Sequence, residues 1–139
     1  MNSPTAHFEY ENGRPCFRVL YESGDSEHAA MTKVGTDLYR VEESLLLSKA
    51  VYGDVVRCKP TADGALLFEE ITERSKLTTQ SWVMSADLLV SDQVRSTLAF
   101  VMESGGMCEQ VCGGCLIVHT PAEIAQTVGD QIRDASQKA

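Results

Sequence analysis

Three turn-forming dipeptides, Asn12-Gly13, Asp63-Gly64 and Gly113-Gly114, cut the chain into strand-sized pieces. Asn, Asp and Gly tolerate the positive φ of a two-residue hairpin loop, so each pair predicts two antiparallel strands. Residues 7–11 and 16–22 flank the first turn, and residues 54–59 and 65–71 flank the second. Pro15 cannot donate to a ladder, which places it near a sheet edge. Residues 23–33 are polar and contain Gly24, and they read as a loop. A short strand is expected over 37–42, and residues 45–51 read as a helical turn or a buried connection.

The second half changes character. Residues 78–84 alternate as a strand does. Ser91 or Asp92 can cap a helix that carries Val94, Leu98 and Val101 on one face and stops at Gly105. The Gly113-Gly114 hairpin follows. Thr120-Pro121-Ala122-Glu123 then has the form of a capping box, opening a helix with Ile124, Val128 and Ile132 as its apolar stripe. The expected fold class is α+β: a β-rich N-terminal half with hairpins (7–75), followed by a ferredoxin-like βαββα unit (76–139), together a single domain over 1–139.

At 139 residues, with 43% hydrophobic and 23% charged residues, the composition is that of a globular protein. No apolar run approaches the ~20 residues of a membrane-spanning helix, and residues 1–7 show neither the basic start nor the apolar stretch of a secretion signal. Five cysteines without such a signal imply free thiols and a cytoplasmic setting. The net charge of −8 disfavours nucleic acid and anionic membranes, both of which need clustered Lys and Arg. It suits a soluble surface, or one that steers a basic protein partner.

The segment Cys108-Glu109-Gln110-Val111-Cys112-Gly113-Gly114-Cys115 is the conspicuous candidate for chemistry. A strand follows it, whereas a redox Cys-x-x-Cys pair needs a helix N-terminus to lower a thiol pKa. A two-residue loop at Gly113-Gly114 would set Cys112 opposite Cys115 and Cys108 opposite His119. The two pairs would then stand about 13 Å apart at ~3.3 Å per residue, too far for one metal ion. A metal site at Cys108, Cys112 and Cys115 is therefore the alternative rather than the expectation, and it would need Cys16 or Cys58 as well. A Cys108–His119 pair is conceivable on the same register. No phosphate loop or dinucleotide fingerprint is present, and no catalytic residue or cofactor is assigned.

From Asp37 onward the chain resembles an uncharacterised bacterial family of small proteins, a domain of unknown function. The matching residues are Leu38-Tyr39-Arg40-Val41, Val51-Tyr52-Gly53-Asp54-Val55-Val56-Arg57, Leu67-Phe68-Glu69 leading to Ser75, and then Gly106, Glu109 and 116–121. That family often has Ser-Gly-His before a threonine, where this chain has Ser75-Lys76-Leu77-Thr78. The resemblance implies the fold outline, brings no activity, and leaves this chain without the family's histidine. Tyr52-Gly53-Asp54 has a turn composition that structure alone explains.

These observations favour a non-enzymatic protein-binding module, more narrowly an immunity protein that neutralises a toxin by occlusion. The doublets Glu42-Glu43 and Glu69-Glu70 are the expected partner-binding residues, since alternation exposes at least one of each pair. The alternative is a small enzyme or a ligand- or metal-binding protein that uses the 108–115 hairpin.

Overall fold

The computed structural model describes residues 5–11 and 13–138, and it divides into two compact units, Met1–Ser75 and Lys76–Ala139. The architecture is α+β.

Among the described residues the first unit holds six strands: β1 (Phe8–Glu11), β2 (Arg14–Leu20), β3 (Ser26–Gly35), β4 (Leu38–Val41), β5 (Val55–Pro60) and β6 (Leu66–Glu73). They follow one another as an antiparallel meander in the order β1-β2-β3-β4-β5-β6. A parallel pairing of Val19 with Leu66 and Leu20 with Leu67 joins β6 back to β2. The five strands β2–β6 thus form a small closed barrel. An odd number of meandering strands can close only through one parallel contact. Val19, Ala29, Met31, Val41, Val56, Cys58 and Leu66 fill the interior. Glu11 pairs with Arg14 across the first turn, and Asn12 lies outside the described residues. Pro15 is flanked by β1 alone, because the β2–β3 ladder begins at Cys16.

Residues 23–33 are not a loop. Only 22–25 turn, closed by Tyr21 N–H to the Asp25 carbonyl at 2.9 Å, and β3 occupies the rest. Its Ala29-Ala30-Met31 centre is buried and its ends are polar. Alanine is a weak strand former, so burial between β2 and β4 decides the conformation here, not propensity. Residues 45–51 form an irregular connection in which Leu45 and Ala50 are buried and Leu46 and Leu47 exposed. The Glu27 carboxylate holds it by accepting Leu46 N–H at 2.8 Å and Leu47 N–H at 2.9 Å.

At the entry to β5, Gly53 adopts φ +89°, and a Cβ there would lie 2.7 Å from Ser75 Oγ. Asp54, buried, accepts Val51 N–H at 3.0 Å, Ser75 N–H at 2.6 Å and the Arg74 guanidinium at 3.2 Å. The Tyr52-Gly53-Asp54 turn is therefore an anchor for the unit's last residues, which accounts for its composition.

The second unit contains β7 (Thr78–Val83), α1 (Ala86–Leu89), α2 (Asp92–Glu103), β8 (Met107–Val111), β9 (Cys115–Thr120), a 3₁₀ turn (Ala122–Ile124) and α3 (Ala125–Lys138). The sheet order is β7-β9-β8, and β9 runs antiparallel to both neighbours. β7 and β8 are therefore parallel with β9 inserted between them, the split βαβ of the ferredoxin-like plan. Ser91 caps α2 by accepting Val94 N–H, as its sequence position implies. Val94, Val101, Val128 and Ile132 pack with Leu116 and Val118 into the unit's core, with Trp82 half-buried at its margin. A Cβ at Gly106 would sit 2.4 Å from the His119 carbonyl oxygen, so the handover from α2 to β8 requires glycine.

The expected capping box at Thr120 does not form. Thr120 is the last residue of β9, paired with Thr78, and its Oγ1 is buried with no hydrogen-bond partner among the described residues. Its orientation is set by the sheet face, so it cannot also serve the helix, which starts through the 3₁₀ turn.

Candidate protein-binding surface

The Gly113-Gly114 hairpin has a different register from that expected. Its loop is three residues long, Cys112 to Gly114, with φ of 52° at Cys112 and 75° at Gly113. Val111 pairs with Cys115, Cys108 with Val118, and Met107 with His119. The extra loop residue arises because the Gly114 carbonyl accepts Met84 N–H at 2.8 Å, so Gly114 is held beside the end of β7. The one-residue slip moves β8 to the opposite face relative to β9. Cys108 and Gln110 therefore share a face with Leu116 and Val118, while Met107 and Val111 do not. Cys112 stands in the loop opposite nothing, and Cys108 is not paired with His119. Burial pushes the Cys108 thiol up to about 11, which leaves it protonated and a poor ligand or nucleophile. Among the described residues, no group of three His, Cys, Asp or Glu side chains is placed to hold a metal ion.

The slip brings a different partner to His119. Its Nε2 lies 2.5 Å from Glu109 Oε2 and its Nδ1 lies 2.9 Å from Thr79 Oγ1. Where Nε2–H donates to the Glu109 carboxylate, Nδ1 is left to accept the Thr79 hydroxyl. Hydroxyl, imidazole and carboxylate stand in the order of a hydrolase triad, one residue from each strand of the sheet. His119 is fully buried, and Thr79 stands at the exposed end of the array. The array links β7, β9 and β8 through side chains.

The acidic doublets are used within the first unit. Glu43 accepts Ala30 N–H at 2.8 Å, and Glu42 accepts the Thr32 hydroxyl at 3.1 Å and Arg40 Nε at 2.9 Å. Glu69 and Glu70, exposed on β6, stand 3.4 Å from Lys59 and 3.5 Å from Arg57 on β5. None of the four is an isolated charge waiting for a partner, although Glu69 and Glu70 remain at the surface.

Strand β1 has the surface the doublets lack. All four of its residues are exposed, and it pairs with β2 alone among the described residues. Phe8 and Tyr10 share one face, opposite Phe17 and Pro15, and Glu9 and Glu11 share the other, opposite Cys16 and Arg14. Tyr10, Phe8, Phe17 and Tyr39 form a continuous row of rings with centroids 5.5, 5.5 and 5.4 Å apart, running from the surface to the barrel interior. Beside the row lies a cleft of ≈ 340 Å³ lined by Phe8, Phe17, Tyr39 and Pro60 together with the charged Lys33 and Asp37. On the glutamate side lies a smaller cleft of ≈ 150 Å³, which includes Glu9, Glu11, Cys16, Arg18 and His28. Arg18 is committed to Asp63 at 2.8 Å, and Arg14 to the Glu42 carbonyl at 3.2 Å. The buried Cys16 thiol is held above its usual range by burial and by Glu11. An exposed aromatic edge strand is a feature that stable monomers usually suppress.

Sequence reasoning missed this surface. The alternation Phe8-Glu9-Tyr10-Glu11, with Pro15 across the turn, was the available signal for an amphipathic edge strand. Thr79, Glu109 and His119 carry no comparable signal, since their meeting depends on the register.

No protein-family model and no curated protein matches the chain. A crystal structure of a hypothetical protein from Neisseria gonorrhoeae is similar to it, with a TM-score of 0.58 and 16% sequence identity over 93% of this chain and 91% of that one. At that identity the likeness shows a shared α+β fold and nothing of function.

Proposed function

We propose that this chain is a non-enzymatic protein-binding module that works by covering its partner, in the manner of an immunity protein that neutralises a toxin. The observation that carries the reading is the aromatic edge strand β1, where Phe8 and Tyr10 stay exposed beside a backbone edge that is unpaired among the described residues. A sheet edge and rigid aromatic side chains are both recurrent means of holding another chain. The charge of −8 supports a basic protein as partner, and opposes nucleic acid and anionic membrane. Glu69 and Glu70 add to the steering field, whereas Glu42 and Glu43 serve the fold. Among the described residues no helix is long and apolar enough to cross a membrane.

The test is crosslinking in the cell of origin, purification of the complex, and assay of the recovered partner. The expected result is a stoichiometric protein partner whose own activity is blocked while bound and whose association slows as salt rises. Turnover of a small molecule by the isolated chain, or a partner fully active in the complex, would overturn the reading.

A further inference from the structure

We infer that the open edge of β1 takes up, by strand addition, an extended partner segment in which basic and apolar side chains alternate. The inference rests on the protein-binding reading and gives the partner its chemistry. In an antiparallel pair only alternate residues turn their N–H and C=O groups to the neighbour, so half of those on β1 face outward toward an incoming strand. An added strand continues the pleat, and its side chains alternate between the same two faces. On one face they meet the exposed rings of Phe8 and Tyr10, which select apolar groups. On the other they meet Glu9 and Glu11. The two nearest arginines are already engaged, Arg14 with the Glu42 carbonyl and Glu43 and Arg18 with Asp63, and Glu11 accepts only the weak Cys16 thiol at 3.8 Å, so neither carboxylate has a cationic partner among the described residues. That selects Lys or Arg.

Register disfavours an antiparallel second copy of the same edge. Directly opposed residues of an antiparallel pair share a face. Two β1 strands aligned with Glu9 opposite Glu11 would set like charges side by side, and a shift of one residue would oppose Phe8 to Glu11 and Glu9 to Tyr10. Both arrangements are unfavourable, whereas a basic–apolar segment satisfies both faces at once.

The probe is an octapeptide of alternating lysine and valine, with a glutamate–valine peptide as control. Both are titrated by fluorescence anisotropy at low and high salt, with amide hydrogen exchange of the full chain as the second readout. The lysine–valine peptide is expected to bind, to slow exchange at residues 8–11, and to weaken as salt rises. The double variant Glu9→Lys/Glu11→Lys should weaken binding about tenfold or more, a change typical of opposed charge pairs, while its circular dichroism shows the fold retained. Absence of binding at low salt, equal binding of the glutamate–valine peptide, or binding without protection at 8–11 overturns the inference. A native complex whose crosslinks avoid β1 also overturns it while leaving the protein-binding reading intact. Small-molecule turnover would remove that reading itself.

Discussion

Glu109 and His119 lie diagonally across the β8–β9 ladder, and their side chains meet at 2.5 Å although Glu109 pairs with Ile117 and His119 with Met107. The contact couples an outer strand to the central one at a site with little water. Replacing His119 by Leu removes the imidazole link to both Glu109 and Thr79. We predict a loss of about 1–3 kcal/mol, the cost of disrupting buried polar partners. Thr79→Val, at the exposed end of the array, should cost about 0.5–1.5 kcal/mol. Urea denaturation of the two variants checks the order.

The hairpin register makes a separable prediction. Val118 is fully buried and Gln110 exposed, so Val118→Asp should unfold the second unit while Gln110→Asp is close to neutral. Cys108, opposite Val118, packs against the core, and Val111 does not. Cys108→Asp should therefore cost about 1–3 kcal/mol as a poorly solvated polar group, clearly more than Val111→Asp. Equal losses at 108 and 111 would contradict the slipped register.

Gly53 and Asp54 test the turn that anchors the first unit. Gly53→Ala places a Cβ against Ser75 at positive φ, and it should destabilise by about 1–3 kcal/mol. Asp54→Asn keeps the shape but loses the charge facing Arg74, with a loss of similar size, about 1–3 kcal/mol. Thermal melts followed by circular dichroism measure both.

Alkali should weaken the barrel. Burial pushes the Cys58 thiol up to about 12, with Glu69 and Asp37 acting in the same direction. In the unfolded chain a thiol ionises near about 8.5. Between those values the unfolded state has lost a proton that the folded state keeps, so stability is full below about pH 8.5 and declines as pH rises toward 12. Tyr21 and Tyr39, raised chiefly by burial, add the same trend above about pH 10. Cys58→Val should flatten the slope between about pH 8.5 and 10 in denaturant titrations.

The thiols should also differ in alkylation. Cys112 is exposed in the hairpin loop, whereas Cys16 and Cys58 are buried and Cys108 is held protonated. With iodoacetamide near neutral pH, Cys112 is expected to react first, and Cys16, Cys58 and Cys108 only as the protein unfolds. Peptide mapping after timed quenching gives the order.

The parts legible in the sequence were those governed by local chemistry. Asp63-Gly64 marks its turn, Ser91 caps its helix, and Gly105 ends it, because each residue satisfies a nearby backbone requirement. The parts that escaped depend on distant residues. β3 is a strand because β2 and β4 bury Ala29, Ala30 and Met31, although alanine by itself argues weakly for one. The last hairpin gains a loop residue because Met84 captures the Gly114 carbonyl. That same slip decides that His119 meets Glu109 instead of Cys108. At β1 the alternation was visible, but only the pairing pattern shows that it joins β2 alone among the described residues.

The barrel's closure has a kinetic corollary. Every other contact in the meander joins neighbouring strands and can form by short-range zipping, with modest loop-closure entropy. The two parallel pairs between β2 and β6 join residues separated by most of the unit, so they are the slow, topologically distant step. Until Val19 and Leu20 find Leu66 and Leu67, the nascent sheet keeps an extra unsatisfied seam, and a neighbouring chain could occupy it. Crowding of half-formed molecules during synthesis would thus act first at this seam, making Leu66 and Leu67 the positions where a refolding aggregate should begin.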